Sequence, residues 1–98
     1  MVDSHRDLIV WKRAIQMVTA IYKFTEDFPQ AEVYGLSSQL RRAGVSVASN
    51  IAEGYGRLST GEYKQFLGMA RGSNLEVQTQ LVIARELGFG NATKMGLA

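Results

Sequence analysis

The sequence predicts an all-α protein of three long helices followed by a short C-terminal stub, in a single domain over residues 1–98. Three observations point there. Apolar residues recur at steps of three and four along most of the chain, the spacing of one helix face. Proline occurs once, at Pro29, and β-branched residues are scattered instead of alternating with polar ones. The stretches that interrupt the periodicity carry helix start and stop chemistry, namely Pro29, Gly54 with Gly56, "STGE" at 59–62, and Gly88.

The first helix is expected over about residues 7–27. Leu8, Trp11, Ile15, Val18 and Tyr22 trace its apolar stripe, widened by Ala14, Ile21 and Phe24. Lys12, Arg13, Gln16, Lys23 and Glu26 fall away from the centre of that stripe. "DFPQAEVYG" then breaks the pattern, because proline lacks an amide donor and disfavours helix in the residue before it.

The second helix is expected over about 33–55, with Leu36, Leu40, Ala43, Val47 and Ile51 on its core stripe. At about 100° per residue, Gly44, Val45, Ala48 and Ala52 lie beside that stripe, so roughly half of the circumference is small or apolar. Such a helix asks for more than one neighbour. Arg42, Ser46, Asn50, Glu53 and Arg57 form its polar seam.

The third helix, about 59–88, opens on a capping box in which Ser59 accepts near Glu62 and Glu62 reaches back. Tyr63, Phe66, Leu67, Ala70, Val77, Leu81 and Ala84 form its stripe, and Gly88 suits a left-handed terminator. Asn74 interrupts the stripe and is read as a hydrogen-bonded polar residue within the bundle. Gly68 and Gly72 weaken the helix by about 1 kcal/mol each relative to alanine. The stub, 91–98, has room for barely two turns.

Composition narrows the class. The chain has 98 residues, 46% hydrophobic and 20% charged, with no apolar run near the roughly 20 residues of a membrane span. No secretory signal is read in "MVDSHRDLIVWKRA", and the absence of cysteine removes disulfides and thiolate metal sites, so a reducing cytoplasm is expected. A net charge of +2 is weak attraction for nucleic acid by one chain, but it adds up in a symmetric oligomer.

The densest punctuation is "NIAEGYGRLS" at 50–59. A phosphate loop would need a preceding strand or a lysine followed by Ser/Thr, and neither is present. A helix-turn-helix would place "AGVS" as its turn and "VASNIAEG" as its recognition helix, which requires Gly44 to end a helix. That reading fails if one helix spans 40–50. A helix-to-helix corner satisfies every residue: Gly54 and Gly56 release one helix, Arg57 covers its last carbonyls and Ser59 caps the next. Asn50, Glu53, Gly54, Tyr55, Gly56, Ser59 and Glu62 are then corner or interface residues.

Catalysis is not expected. Di-iron bundles use Glu-x-x-His pairs, and the single histidine, His5, stands at the start of the chain, so neither such a metal site nor a Ser/His/Asp triad is expected. No cofactor is expected. Trp11, Tyr22, Tyr63 and Phe66 are read as core and not as base-stacking platforms, because they lie on core stripes. For nucleic acid, the cations available to phosphates are Lys12, Arg13, Arg41, Arg42, Arg57, Lys64, Arg71 and Arg85, opposed by nine acids; Arg41, Arg42, Arg57, Lys64 and Arg71 are the leading candidates.

Taken together and in order, "LIVWKRA", "IYKFTEDFP", "YGLSSQLRRAGVSVASNIAEGYGRLS", "EYKQFL" and "ARGSNLEVQTQLVIARELGF" closely resemble the bacterial family first named for proteins encoded in intervening sequences of 23S ribosomal RNA genes. The match covers about residues 6–89, and Arg41, Arg42, Asn50, Glu53, Gly54, Gly56 and Arg57 fall on its signature positions. The resemblance implies an up-and-down four-helix bundle, here with three long helices and a truncated fourth. It implies no reaction. Relatives of the family include accessory variability proteins of diversity-generating retroelements, which form basic, barrel-like pentamers and associate with a reverse transcriptase and nucleic acid. By that resemblance the chain is expected to form a homo-oligomer, plausibly a pentamer, with RNA, DNA, a reverse transcriptase or another nucleic-acid enzyme as partner, and no membrane. Two departures stand out: the family tends to have alanine where this chain has Gly44, and little sequence follows "LGF" to supply a fourth helix. An apolar groove between the other helices is the expected result, covered by the stub, a neighbouring subunit or both. Two other readings remain open: a structural or protein-binding bundle without a nucleic-acid role, and the helix-turn-helix regulator.

Overall fold

The computed structural model describes residues 4–90, and all regular structure among them is helical. The long helices are α1 (Ile9–Thr25), α2 (Leu36–Tyr55) and α3 (Thr60–Leu87), with 3-10 turns at His5–Asp7 and Gln30–Glu32. The expected stub at 91–98 lies outside the described residues. Among those described, no helix is long and apolar enough to cross a membrane.

Each helix is slightly shorter than its apolar pattern, for local reasons. Asp7 belongs to the first 3-10 turn, whose Ser4 hydroxyl accepts from the Arg6 N–H at 3.0 Å, and Leu8 is extended, so α1 begins at Ile9. α2 begins at Leu36 because Glu32 Oε1 accepts the Leu36 N–H at 3.0 Å, satisfying one of the donors that a helix start leaves open. At α3 the Ser59 hydroxyl accepts from the Glu62 N–H at 3.1 Å as expected. The Glu62 carboxylate meets the Ser59 hydroxyl at 3.4 Å. Gly88, at φ +74°, ends α3 in the left-handed region, and the Phe89 N–H closes on the Ala84 carbonyl at 2.9 Å.

The three helices run up, down and up. α2 is central, with α1 and α3 packed antiparallel to it, as the pairs Gly44 with Ile21, Gly54 with Phe66 and Ser46 with Ser73 show. The core has two halves. One gathers Ile21, Phe24, Phe28, Leu36, Leu40 and Val77, with Phe89 packed against it; the other gathers Ala14, Val47, Ala48, Ile51 and Ala70.

The expected stripe of α2 is buried at all five positions, and Gly44 and Ala48 are buried beside it. The stripe of α1 is corrected. Ala14, Ile21 and Phe24, expected at its edge, form the buried line, while Ile15 and Tyr22 are exposed and Leu8, Trp11 and Val18 half-buried. The reason is close approach: an ideal Cβ on Gly44 would stand 2.9 Å from Ile21 Cδ1 and 3.9 Å from the Val18 Cα, so the facing line of α1 favours small residues and tapered ones. In α3, Ala70, Val77 and Ala84 are buried and Tyr63 is exposed.

The helix-turn-helix reading is overturned here. α2 runs unbroken from Leu36 to Tyr55, so Gly44 ends no helix and no turn separates "VASNIAEG" from what precedes it.

Candidate functional site

The corner between α2 and α3 occupies only residues 56–59. Gly54 is not the release point that the sequence implied. It is buried within the last turn of α2, where a Cβ would lie 3.1 Å from Phe66 Cβ and 3.5 Å from the Tyr63 carbonyl oxygen. Its missing side chain lets the two helices touch. Gly56 ends α2 with right-handed geometry, its N–H bonded to the Ala52 and Glu53 carbonyls. Among the described residues, the Arg57 side chain makes no hydrogen bond to a carbonyl. It pairs with Glu53 at 2.9 Å, lies 3.8 Å from Glu62 and stacks its guanidinium 4.5 Å from the centre of the Phe66 ring. Arg57, Glu53, Ser59 and Glu62 thus form one tie across the corner, and Tyr55 is half-buried beside it.

The candidate cations are not assembled into one patch. Arg41 is turned inward: its Nε donates to Thr25 Oγ1 at 2.8 Å, its Nη2 approaches the Tyr22 carbonyl at 3.5 Å, and its guanidinium lies 4.7 Å from the Tyr22 ring centre. The Thr25 hydroxyl lies 2.8 Å from the Ile21 carbonyl and 3.2 Å from the Tyr22 carbonyl, so Arg41 and Thr25 converge on the Tyr22 carbonyl in the open last turn of α1. Arg57 is committed at the corner. Among the described residues, Arg42, Lys64 and Arg71 have no ion-pair or hydrogen-bond partner for their side chains. Arg42 borders the shallow pocket beside Tyr22 and Arg41, whereas Arg71 lines a groove on another side of the molecule.

That groove is the expected one. About 380 Å³ in volume, it lies between the N-terminal half of α1 and the facing half of α3, with α2 as its floor. Ala14, Met17, Val47, Ile51, Leu67 and Ala70 line it, with Val10, 55% exposed, at its mouth. Arg13 and Arg71 stand on opposite walls. Asn74 faces this groove and makes no side-chain hydrogen bond among the described residues, instead of being tied within the bundle. On the outer side of α1 and α2, a second apolar surface joins Trp11, Ile15 and Val18 to Val45, Ala48 and Ala52. His5 is set edge-on against Trp11, its ring centre 5.1 Å away.

The polar seam of α2 is only partly as expected. Asn50 Nδ2 donates to the Ser46 carbonyl at 2.9 Å and to Ser46 Oγ at 3.0 Å, and Ser73 Oγ of α3 donates to the same Ser46 oxygen at 2.9 Å. Sequence reading missed Ser73 and, on the same face of α3, Glu76 and Gln80; their spacing of three and four was the available signal. Among the described residues no cluster of three or more His, Cys, Asp or Glu could hold a metal ion.

A family model described as 23S rRNA-intervening sequence protein matches residues 6–96. None of the curated proteins compared with the chain matches it.

Proposed function

The chain belongs to the 23S rRNA-intervening sequence protein family, and from that premise we propose a non-enzymatic assembly module that works in the cytoplasm. A fourth helix completes its three into an up-and-down four-helix bundle, supplied by the residues after Gly90, by a neighbouring subunit or by both. Copies associate into a ring-like homo-oligomer, a pentamer by resemblance. The assembly then acts as an adaptor, its remaining cations contacting the phosphates of RNA or DNA, or docking a nucleic-acid enzyme such as a reverse transcriptase.

The groove between α1 and α3 carries this reading. Apolar side chains from all three helices converge on it, and a lined apolar cleft open to water favours an occupant. The outer surface around Trp11, Ile15 and Val45 adds a second apolar face elsewhere on the chain. When two different faces meet between copies, the contact is head-to-tail, and such contacts form a ring where the rotation between copies closes and a filament where it does not. Each subunit adds its net charge of +2, which supports phosphate contacts by Arg42, Lys64 and Arg71.

Light scattering coupled to gel filtration tests the assembly. The wild type should run well above monomer mass and Leu67→Glu should fall to monomer with its helix content retained; a monodisperse wild-type monomer would overturn the proposal. Fluorescence anisotropy with a structured RNA and a duplex DNA tests the adaptor role, with binding expected to weaken from low to physiological salt and in Arg42→Glu. A bundle that binds only protein partners is the second reading. It is favoured by the commitment of Arg41 and Arg57 to intramolecular contacts, and absence of binding at low salt would select it.

A further inference from the structure

Tyr22, read from the sequence as core, instead lines an open pocket of about 370 Å³ between α1 and α2. Val33 from the connecting segment and Ser38, Arg41, Arg42 and Val45 from α2 complete it. Ser38, Arg42 and Val45, at steps of four and three, share one face of α2. Three of the lining residues are large apolar or aromatic side chains left in water: Tyr22, Val33 and Val45 are all more than two-fifths exposed. Tyr34, next to Val33 in the chain, is 95% exposed. The two arginines differ. Arg41 is held in place, its Nε–H bonded to Thr25 Oγ1 at 2.8 Å and its guanidinium 4.7 Å from the Tyr22 ring centre, while its Nη1 amino group makes no hydrogen bond among the described residues. Arg42 is exposed and has no hydrogen-bond or ion-pair partner among them. No described acid lines the pocket, and Glu32, just before Val33, commits its carboxylate to the Leu36 N–H.

We propose that this pocket docks a segment of a protein partner in which an aspartate or glutamate stands beside an aliphatic residue. The inference rests on the protein-binding reading above, and on neither assembly nor phosphate contact. Two cations without a facing acid call for an occupant that brings negative charge. A carboxylate matches the planar fork of a guanidinium, and Ser38 adds a hydroxyl donor. Because Arg41 is already fixed by Thr25 and Tyr22, less freedom is lost when it binds. The aliphatic neighbour of the carboxylate covers Val33, Val45 and the Tyr22 ring, taking their exposed surface out of water. Tyrosine and arginine around a small apolar centre are the side chains over-represented at protein contacts. Nucleic acid suits the place less. A phosphate chain asks for cations in a row, whereas Lys64 and Arg71 stand on α3 outside the pocket and the valines offer a phosphate nothing.

The test is a chemical-shift titration of the isotope-labelled full chain with three end-blocked tetrapeptides: two glutamates between two leucines, the same with glutamines for glutamates, and two glutamates between two glycines. The first should shift the amides of Val33, Ser38, Arg42 and Val45 and bind about tenfold more tightly than either of the others. Arg42→Gln should remove its advantage over the glutamine peptide, and Val45→Ser its advantage over the glycine peptide. Both positions are exposed, so helix content should be unchanged in either variant. Equal affinity for the three peptides, or no response to any, overturns the proposal. Shifts confined to Leu67, Ala70 and Asn74 overturn it as well, by placing the peptide in the apolar groove. Inorganic phosphate or a short oligouridine RNA that shifts the pocket amides as strongly as the first peptide overturns it in favour of a phosphate contact. The expected peptide response from a chain that proves monomeric, or that binds no RNA, keeps the docking site and defeats the assembly or the phosphate role instead.

Discussion

The two halves of the core are built from different side chains and close to different degrees. Around Phe24 and Phe28 the rings meet edge to face with centres 5.1 Å apart, and Phe89, arriving from the end of α3, sits 5.6 Å from Phe28. Large side chains there bridge α1 to the end of α3. In the other half, Ala14, Ala48 and Ala70 bring α2 close to its neighbours but do not reach across from α1 to α3, and the groove remains. Small residues tighten a two-helix contact and loosen a three-helix one.

The largest break in this comparison is Phe24→Ala. It removes the bridge between α1 and the end of α3 and should cost about 3–5 kcal/mol, a large part of a small domain's stability. A thermal melt followed by circular dichroism should fall by about 15 °C or more.

Gly54→Val tests the helix contact at the corner. A side chain there meets Phe66 Cβ and the backbone of α3, not the flexible end of a side chain, so a loss of about 2–3 kcal/mol is expected in chemical denaturation.

Much of this architecture was legible in the sequence, and the exceptions have a common physical cause. The α2 stripe reads correctly because large residues at Leu36, Leu40, Val47 and Ile51 face inward from a helix with neighbours on two sides. The capping by Ser59 and the stop at Gly88 are local chemistry and are equally plain. In α1 the pattern misleads by about one helical step, because periodicity weights bulk whereas close packing against Gly44 brings Ile21 to the interface, and Ala14, seven residues before it on the same line, packs with Val47 and Ala48. The place of the corner was legible, but the role of Gly54 was not, since a glycine that ends a helix and one that admits a neighbour look alike in sequence. Arg41 and Arg57 likewise read as phosphate contacts until Thr25, Glu53 and Phe66 are seen around them.

Finer tests separate the committed arginines from the others. Arg57→Ala loses an exposed ion pair and a stacked ring and should cost about 1 kcal/mol in the same denaturation measurement. Arg71→Ala, on the open groove, should stay within about 0.5 kcal/mol of wild type. Equal losses from the two would erase the distinction between structural and available cations.

Gly90 stands at φ +78°, and an ideal Cβ on it would lie 2.7 Å from the Phe24 ring and 2.8 Å from Phe28. The end of α1 is therefore clamped on two sides, while its first turns lean on α2 and the short N-terminal 3-10 turn. Such an arrangement gives the groove one stiff wall and one that can swing about the clamped end. Amide hydrogens over 9–17 should exchange through local openings that spare 40–51, and should slow once the groove is filled.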